Sequence, residues 1–387
     1  MKILHTSDLH IGKKLIGKDR YDEYRAVLKE ICSICAEEQV ELVIIAGDVF
    51  DSYTPSAEAE QIFYCGIKDI AELSAVLVIS GNHDDYVRLT AASAIAEELG
   101  IYIVGNDLQP VKLQPVKQNN VGRAYPIVSD SGYVIFSNQK GEKVYFNTLP
   151  YPNEARFKEG KSDETFKDKM SRWINYGNRG NTDNLPSVFL SHIFVAGGKV
   201  SDSEREIDLG GARAVPVDML PECTYSALGH LHRRQKLGQN AYYCGAPMQF
   251  SFDESGSVKS VNVFDLNESG INDFKQIEIK SARKLLRLQA NDVETGIGLV
   301  EKYPESYVEL TLNLSAPLTS AESSLLHAQS NLVSLKAEIL NAEIDFGRQS
   351  NKNKSASQLF SEYYKSRYGA DVPKELLGLF LSMTEEE

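Results

Sequence analysis

Five short segments of this 387-residue chain gather histidine, aspartate and asparagine at spacings able to hold metal ions. Asp8 and His10 stand two apart, Asp48 follows Gly47, and Asn82, His83 and Asp84 follow Gly81. His192 stands alone, and His230 and His232 are again two apart. In extended chain, residues two apart point to the same side, so each pair can converge on one point. Carboxylate oxygen, amide oxygen and imidazole nitrogen, without thiolate, make a mixed set suited to Mn, Fe or Zn. A lone Asp-x-His is as well explained by a strand-end turn. The weight of the pattern lies in its repetition.

Each segment closes a strand-like run. Lys2 to Thr6 is short and apolar, and Val40 to Ala46 is the β-branched run of a strand buried on both faces. Further strands are expected at 75–80, 187–191 and 224–228, each ending at one of the polar segments. Glycine at 47 and 81 lets the backbone turn tightly beside an ion, and the Asp48 carboxylate can offer one oxygen to each of two cations. Helices are predicted over about 21–38 and 56–72. This alternation implies an α/β core with its polar chemistry at the carboxyl ends of the strands. The stretch 106–184 is less regular, with antiparallel strands at 133–137 and 143–149, a helix over about 163–176 and a loop over 177–184. Strands at 241–244, 258–265 and 274–279 close the first domain near Lys280.

Composition narrows the possible classes. The chain is long enough for one large domain and one or two smaller ones, and 42% hydrophobic residues is ordinary for a globular protein. It has no apolar run of membrane-spanning length and no signal-peptide pattern, so a cytoplasmic location without membrane contact is expected. Five cysteines without a regular framework agree with a reducing compartment, and Cys32 and Cys35 read as small core residues of a helix. A net charge of −13 repels nucleic acid overall. Binding to DNA would need local patches, for which Lys13, Lys14, Lys18 and Arg20, and Arg233, Arg234 and Lys236, are candidates. A solvated surface explains their charge equally well. His5 alternates with Leu4 and Thr6 and is expected in the core, whereas His327 falls on a polar helix and is expected in solvent.

After Lys280 the pattern becomes a small βαβαβ unit over 281–346, with strands at 285–290, 307–314 and 335–344 and helices at 292–302 and 320–332. Residues 347–357 form a polar linker with too little apolar surface to fold. A helical hairpin follows over 358–387. Leu359, Phe360, Tyr363 and Tyr364 give its first helix an apolar face, and Pro373 opens a second helix rich in leucine. Such a face can dock on the protein's own core or accept a partner's helix.

The ordered set D-x-H, G-D-x-x-D, G-N-H-D, a lone H and G-H-x-H resembles the calcineurin-like metallophosphoesterase superfamily over roughly residues 1–280. The runs I-L-H-T-S-D-L-H-I-G, A-G-D-V-F-D, G-H-L-H, Y-C-G-A-P and S-F-D-E are similar to those of nuclease subunits from bacterial double-strand-break repair complexes. This resemblance implies a four-layer αββα sandwich with a small α/β capping domain and a C-terminal helical hairpin. It implies that Asp8, His10, Asp48 and His232 hold one divalent ion, Mn2+ for preference, and that Asp48, Asn82, His192 and His230 hold a second. His83 would stabilise the transition state or protonate the leaving alkoxide, with Asp84 orienting its ring. The implied activity is a DNA exonuclease and endonuclease on duplex ends and hairpins, serving repair, recombination and replication. The implied partners are a coiled-coil ATPase bound at the C-terminal helices and a second copy of the chain, a homodimer within a heterotetramer.

Two positions depart from the superfamily. Asp51 stands where archaeal and eukaryotic relatives have histidine, and Ser191 where many members have glycine. A phosphatase or cyclic-nucleotide phosphodiesterase on the same fold is the alternative activity. No arginine follows Asp51 as it does in protein phosphatases of this superfamily, and a phosphodiesterase would give the cap and hairpin no purpose. A non-enzymatic scaffold is disfavoured because every matching ligand and His83 are present.

Overall fold

The computed structural model describes residues 1–106, 122–153, 163–204, 214–339, 356–368 and 372–384. The chain begins with β1 (Lys2–Thr6), α1 (Tyr21–Glu38), β2 (Leu42–Ala46), α2 (Ala57–Ala71) and β3 (Ala75–Ile79). Two single-turn helices, α3 (Tyr86–Leu89) and α4 (Ser93–Ala96), lead to β4 (Ile101–Val104). A meander of β5 (Tyr125–Asp130), β6 (Tyr133–Ser137) and β7 (Lys143–Leu149) precedes α5 (Phe166–Asn178) and β8 (Ser187–His192). Then come β9 (Tyr225–Gly229), β10 (Gln235–Leu237), β11 (Ala241–Tyr243), β12 (Ser260–Asn267) and β13 (Gly270–Glu278).

These strands form two sheets. The first has the order β13-β12-β1-β2-β3-β4, parallel from β1 to β4 with β12 antiparallel against β1. The second has the order β10-β11-β9-β8-β7-β6-β5, parallel from β7 through β11. Alternate residues of a strand face opposite sides, and the core clusters follow that alternation. Leu42 and Ile44 point between the sheets to join Phe136, Phe146, Val188 and Leu190. Val43 and Ile45 point outward and pack under α1 and α2 against Tyr24, Leu28, Ile62 and Phe63. On the far side, Met170, Trp173 and Ile174 of α5 cover Phe189 and Leu228. The result is the expected four-layer αββα sandwich.

Helix ends follow local chemistry. The Ser56 hydroxyl accepts the Ala59 amide at the start of α2, and Thr165 and Asp168 form a reciprocal capping box at the start of α5. Among the boundaries that differ from expectation, two are set by tertiary contacts. Helix α5 runs past residue 176 to Asn178 because Asn147 donates to Ile174 O at 3.0 Å and to Asn178 Oδ1 at 2.7 Å.

The other shift lies in the smaller third sheet, which follows as β14 (Leu285–Ala290), α6 (Val293–Glu301), β15 (Tyr307–Leu314), α7 (Ser320–His327) and β16 (Leu332–Ile339), in the order β14-β15-β16. Helix α7 stops at His327, short of 332, since Asn331 is held by Val300 O at 3.0 Å and Tyr303 O at 2.9 Å. His327 is exposed, and β16 therefore begins at Leu332. Leu285 and Tyr307 pack with Leu15 and Phe252, and the Leu285 amide donates to Gln249 Oε1 at 2.7 Å. Residues Met1–Leu312 with Leu318–Ala337 accordingly form one compact unit.

A second unit holds α8 (Ala356–Tyr368) and α9 (Lys374–Thr384), joined by the stacked rings of Phe360 and Phe380 at 4.1 Å. Leu359, Tyr363 and Leu376 are exposed on it. The linker expected over 347–357 lies almost wholly outside the described residues. No helix among the described residues is long and apolar enough to cross a membrane.

Candidate metal centre

Just past β1, Asp8 and His10 adopt left-handed backbone (φ 53 and 44), as do Asp48 past β2 (φ 51) and His230 past β9 (φ 103). Such conformations are uncommon for residues with a Cβ and persist only where their surroundings impose them. Here the loops after β1 and β2 are laced together. Asp8 N–H donates to Gly47 O at 3.0 Å, His10 N–H to Asp48 O at 3.0 Å and Ile11 N–H to Val49 O at 2.9 Å. The glycines are required by close approach. A Cβ on Gly81 would lie 2.1 Å from Asp48 Oδ1, and one on Gly229 would lie 1.9 Å from Ala46 O.

The strand ends then converge. Asp48 Oδ2 lies 3.5 Å from His10 Nε2 and 3.3 Å from His192 Nε2, while Oδ1 accepts the His83 amide at 2.8 Å. Asn82 Oδ1 faces His192 Nε2 at 2.8 Å and His230 Nδ1 at 3.0 Å. His10 Nε2 and His232 Nε2 face each other at 3.0 Å. Asp8 accepts the His230 amide at 2.9 Å and the Ser7 hydroxyl at 2.6 Å. All of Asp8, His10, Asp48, Asn82, His192, His230 and His232 are buried. Donor atoms of Asp8, His10 and His232, of His10, Asp48 and His83, and of Asp8, Asp48 and His192 each gather within 4.8 Å.

Electrostatics show what this cluster needs. Burial pushes the pKa of His10 down to about 4 and of His230 to about 3, and holds His232 well below the imidazole range. These rings are neutral, with lone pairs to give. Burial pushes Asp8 up to about 7, the neighbouring Asp48 charge adding to it against the pull of His192. Burial would raise Asp48 too, but His192 and His83 hold it far below the carboxylate range. The same partnership outweighs burial at His192 and lifts its pKa to about 9. Nitrogen lone pairs opposed at 3.0 Å beside carboxylates, with the buried His230 Nε2 lacking a hydrogen-bond partner among the described residues, fit divalent cations. The cluster is a divalent metal site by its donors and its geometry.

His83 lies at the rim of this cluster, and its Nδ1 faces the Asp51 carbonyl at 2.6 Å. Asp84, expected to orient that ring, meets backbone amides. Its fully buried carboxylate accepts the amides of Val49 (3.2 Å), Phe50 (3.0 Å) and Gly81 (2.8 Å), tying the loop after β3 to the loop after β2. Asp51 itself pairs with Lys13 at 3.0 Å and lies 3.6 Å from His10 Nδ1.

Of the basic candidates, Arg20 belongs to no surface patch. It is buried, with a bidentate bond to Glu23 and a bond to Gln249 O. Lys14 and Arg233 pair with Asp19 and Asp253, each at 3.0 Å. His5 is a core residue as expected, with Nδ1 3.0 Å from the Tyr225 hydroxyl.

Sequence reasoning did not find the groups behind His232. Ser203 Oγ lies 2.6 Å from His232 Nδ1, Glu204 accepts the His232 amide at 2.8 Å, and Lys259 donates to its carbonyl at 2.8 Å. Ser203 also reaches Glu254 at 2.8 Å. Only Glu254, within S-F-D-E, lay in a segment that the resemblance had marked.

The fold and the site together define a metal-dependent phosphodiesterase, and the model of the calcineurin-like phosphoesterase family matches residues 1–234. The SbcD subunit of the nuclease SbcCD from Bacillus subtilis (strain 168) is 32% identical over 416 residues, covering 100% of this chain and 99% of that protein. Its counterpart in the nuclease SbcCD of Staphylococcus epidermidis is 26% identical over 404 residues, covering 98% and 99%. A solved archaeal phosphodiesterase, 12% identical over 72% of this chain and 99% of its own, superposes with a TM-score of only 0.31. The chain belongs to the calcineurin-like phosphoesterase family, in its SbcD branch.

Proposed function

We propose that this protein is a Mn2+-dependent DNA nuclease subunit, an exonuclease on duplex ends and an endonuclease on single strands and hairpins. The observation that carries the reading is the convergence of five strand-end segments on the buried Asp48 carboxylate, whose Oδ2 lies 3.5 Å from His10 Nε2 and 3.3 Å from His192 Nε2. Asp8, His10, Asp48 and His232 are the ligands of one ion, and Asp48, Asn82, His192 and His230 those of the other. Manganese suits a donor set of nitrogen and hard oxygen. Two such cations, when bound, would polarise the phosphodiester, lower the pKa of a water and stabilise both the attacking and the leaving oxygen.

The chain's own residues do the rest. The left-handed turns at Asp8, His10, Asp48 and His230 aim the ligands before substrate arrives. A carbonyl oxygen only accepts, so the Asp51 contact keeps a proton on His83 Nδ1 and sets the ring's direction. Acting from Nε2 as the imidazolium, His83 stabilises the charge developing on the phosphate or passes the Nε2 proton to the leaving alkoxide, returning to the neutral Nδ1–H ring.

We assign residues 1–280 to the nuclease domain and 281–346 to a cap that covers DNA beside the active site. After a linker at 347–357, the hairpin at 358–387 receives an SbcC-type ATPase at the root of its coiled coil. The relatives' name, which makes each of them one part of a nuclease designated SbcCD, supports that partner, as do the exposed Leu359, Tyr363 and Leu376. The assembly is a heterotetramer built on a homodimer of this chain, working in the cytoplasm in DNA repair, recombination and replication.

The test incubates the purified full-length chain, without metal and with Mn2+ or Mg2+, with end-labelled duplex DNA and separately with a small chromogenic phosphodiester. The expected result is Mn2+-dependent shortening of the duplex that disappears in Asp48→Ala. Turnover of the small ester with intact DNA, unchanged by added ATPase, would instead identify a phosphodiesterase of another substrate class.

A further inference from the structure

We propose that Ser203 and Glu254 are positioning residues that fix the ring of His232 as its Nδ1–H tautomer, and so set the affinity of one of the two cation positions. The inference rests on the two-cation reading above and concerns only how one half of that site is held.

Donor and acceptor counting carries it. Glu254 is fully buried, and one of its oxygens is paired with the Lys259 ammonium. Its other oxygen, Oε1, lies 2.8 Å from Ser203 Oγ, and an ion-paired carboxylate can only accept. Ser203 Oγ has one proton and, among the described residues, three neighbours: Glu254, His232 Nδ1 at 2.6 Å and Ser201 Oγ at 2.9 Å. The charged acceptor draws that proton most strongly. The Ser201 proton is itself directed to Glu204 Oε2 at 2.8 Å. Ser203 therefore presents a lone pair to His232, and His232 must donate from Nδ1. The lone pair of the ring is thereby placed on Nε2, the atom that faces His10.

The backbone of His232 is held by the same group of residues. Glu204 Oε1 accepts its amide at 2.8 Å, and Lys259, the partner of Glu254, donates to its carbonyl at 2.8 Å. Its amide, its carbonyl and Nδ1 thus all have protein partners, and Nε2 alone is directed to the cluster. Removal of such an outer partner of a ligating histidine typically weakens metal binding by roughly 10- to 100-fold.

The test measures Mn2+ binding by calorimetry on the full-length chain, its Ser203→Ala and Ser203→Thr variants, and Asp48→Ala. In the wild type two ions bind. In Ser203→Ala one is expected to weaken roughly 10- to 100-fold while the other keeps its affinity, and Ser203→Thr restores the first. Nitrogen-15 NMR of histidine-labelled, metal-free wild-type protein supplies a readout that needs no variant. The Nδ1–H form of His232 is expected there, mixing with the Nε2–H form in Ser203→Ala. An Nε2–H ring in the wild type, or two undisturbed ions in Ser203→Ala, overturns the role of Ser203 while leaving the two-cation reading in place. A wild type that binds no Mn2+ overturns both.

Discussion

The two halves proposed for the metal centre are held by different parts of the chain. His192, at the end of β8, is fixed by the main chain: its Nδ1 meets the Ala46 carbonyl at 2.8 Å, at the end of a strand buried on both faces. His232 is fixed by side chains from two loops, through Ser203, Glu204 and the Glu254–Lys259 pair. A carbonyl at the end of a packed strand is present whatever residue stands there, and no substitution of a side chain removes it. A relay of side chains can be altered one atom at a time. The first half is therefore tied to the integrity of the fold, whereas the second can vary without disturbing the sheets.

The sharpest way to break this contrast is Asp48→Ala, because Asp48 faces both halves. It is expected to abolish measurable cleavage and to remove both ions together in calorimetry, and retention of one ion would show that the halves bind independently. Next in size is His83→Ala, which touches neither anchor. Single-turnover cleavage should slow by roughly 10²- to 10⁴-fold while Mn2+ affinity stays at the wild-type value. A matching loss of affinity would make His83 a ligand.

Asp84→Ala probes the link between loops. It leaves the amides of Val49, Phe50 and Gly81 without their shared acceptor in a buried place, at a cost of about 3 kcal/mol or more. Urea unfolding of the metal-free chain should show that loss. Unchanged stability with slowed cleavage would return Asp84 to the His83 ring.

The smallest effect expected is on pH. Burial holds the pKa of His5 and His230 near about 3, of His10 near about 4 and of His232 well below its ordinary value. In the unfolded chain these histidines take up protons near pH 6.5, so the unfolded state binds more protons below that pH and stability falls with acidification. Asp8, Asp84 and Glu204, raised by burial, act in the opposite sense. The contribution of Asp8 is complete below its ordinary value and fades as pH rises through about 7. With four histidines against three carboxyls, the Tm of the metal-free protein should drop between pH 6.5 and 4.5. A flat or rising Tm would give the balance to the three carboxyls.

By itself the sequence marked the strand-end segments that carry the candidate ligands, the α/β core and the first two helices. Each strand-end segment is local, a few residues after an apolar run, and an apolar run long enough to be buried on both faces is visible without a partner. His5 was legible as a core residue for the same reason. Tertiary structure alone decided the rest. The antiparallel join of β12 to β1, the strand β5, the burial of Arg20 and the true partners of Asp84 depend on residues that meet only after folding. Ser203 stands 29 residues from His232 and 51 from Glu254. No periodicity connects positions so far apart, because their spacing is set by how loops from different strands close over one strand end.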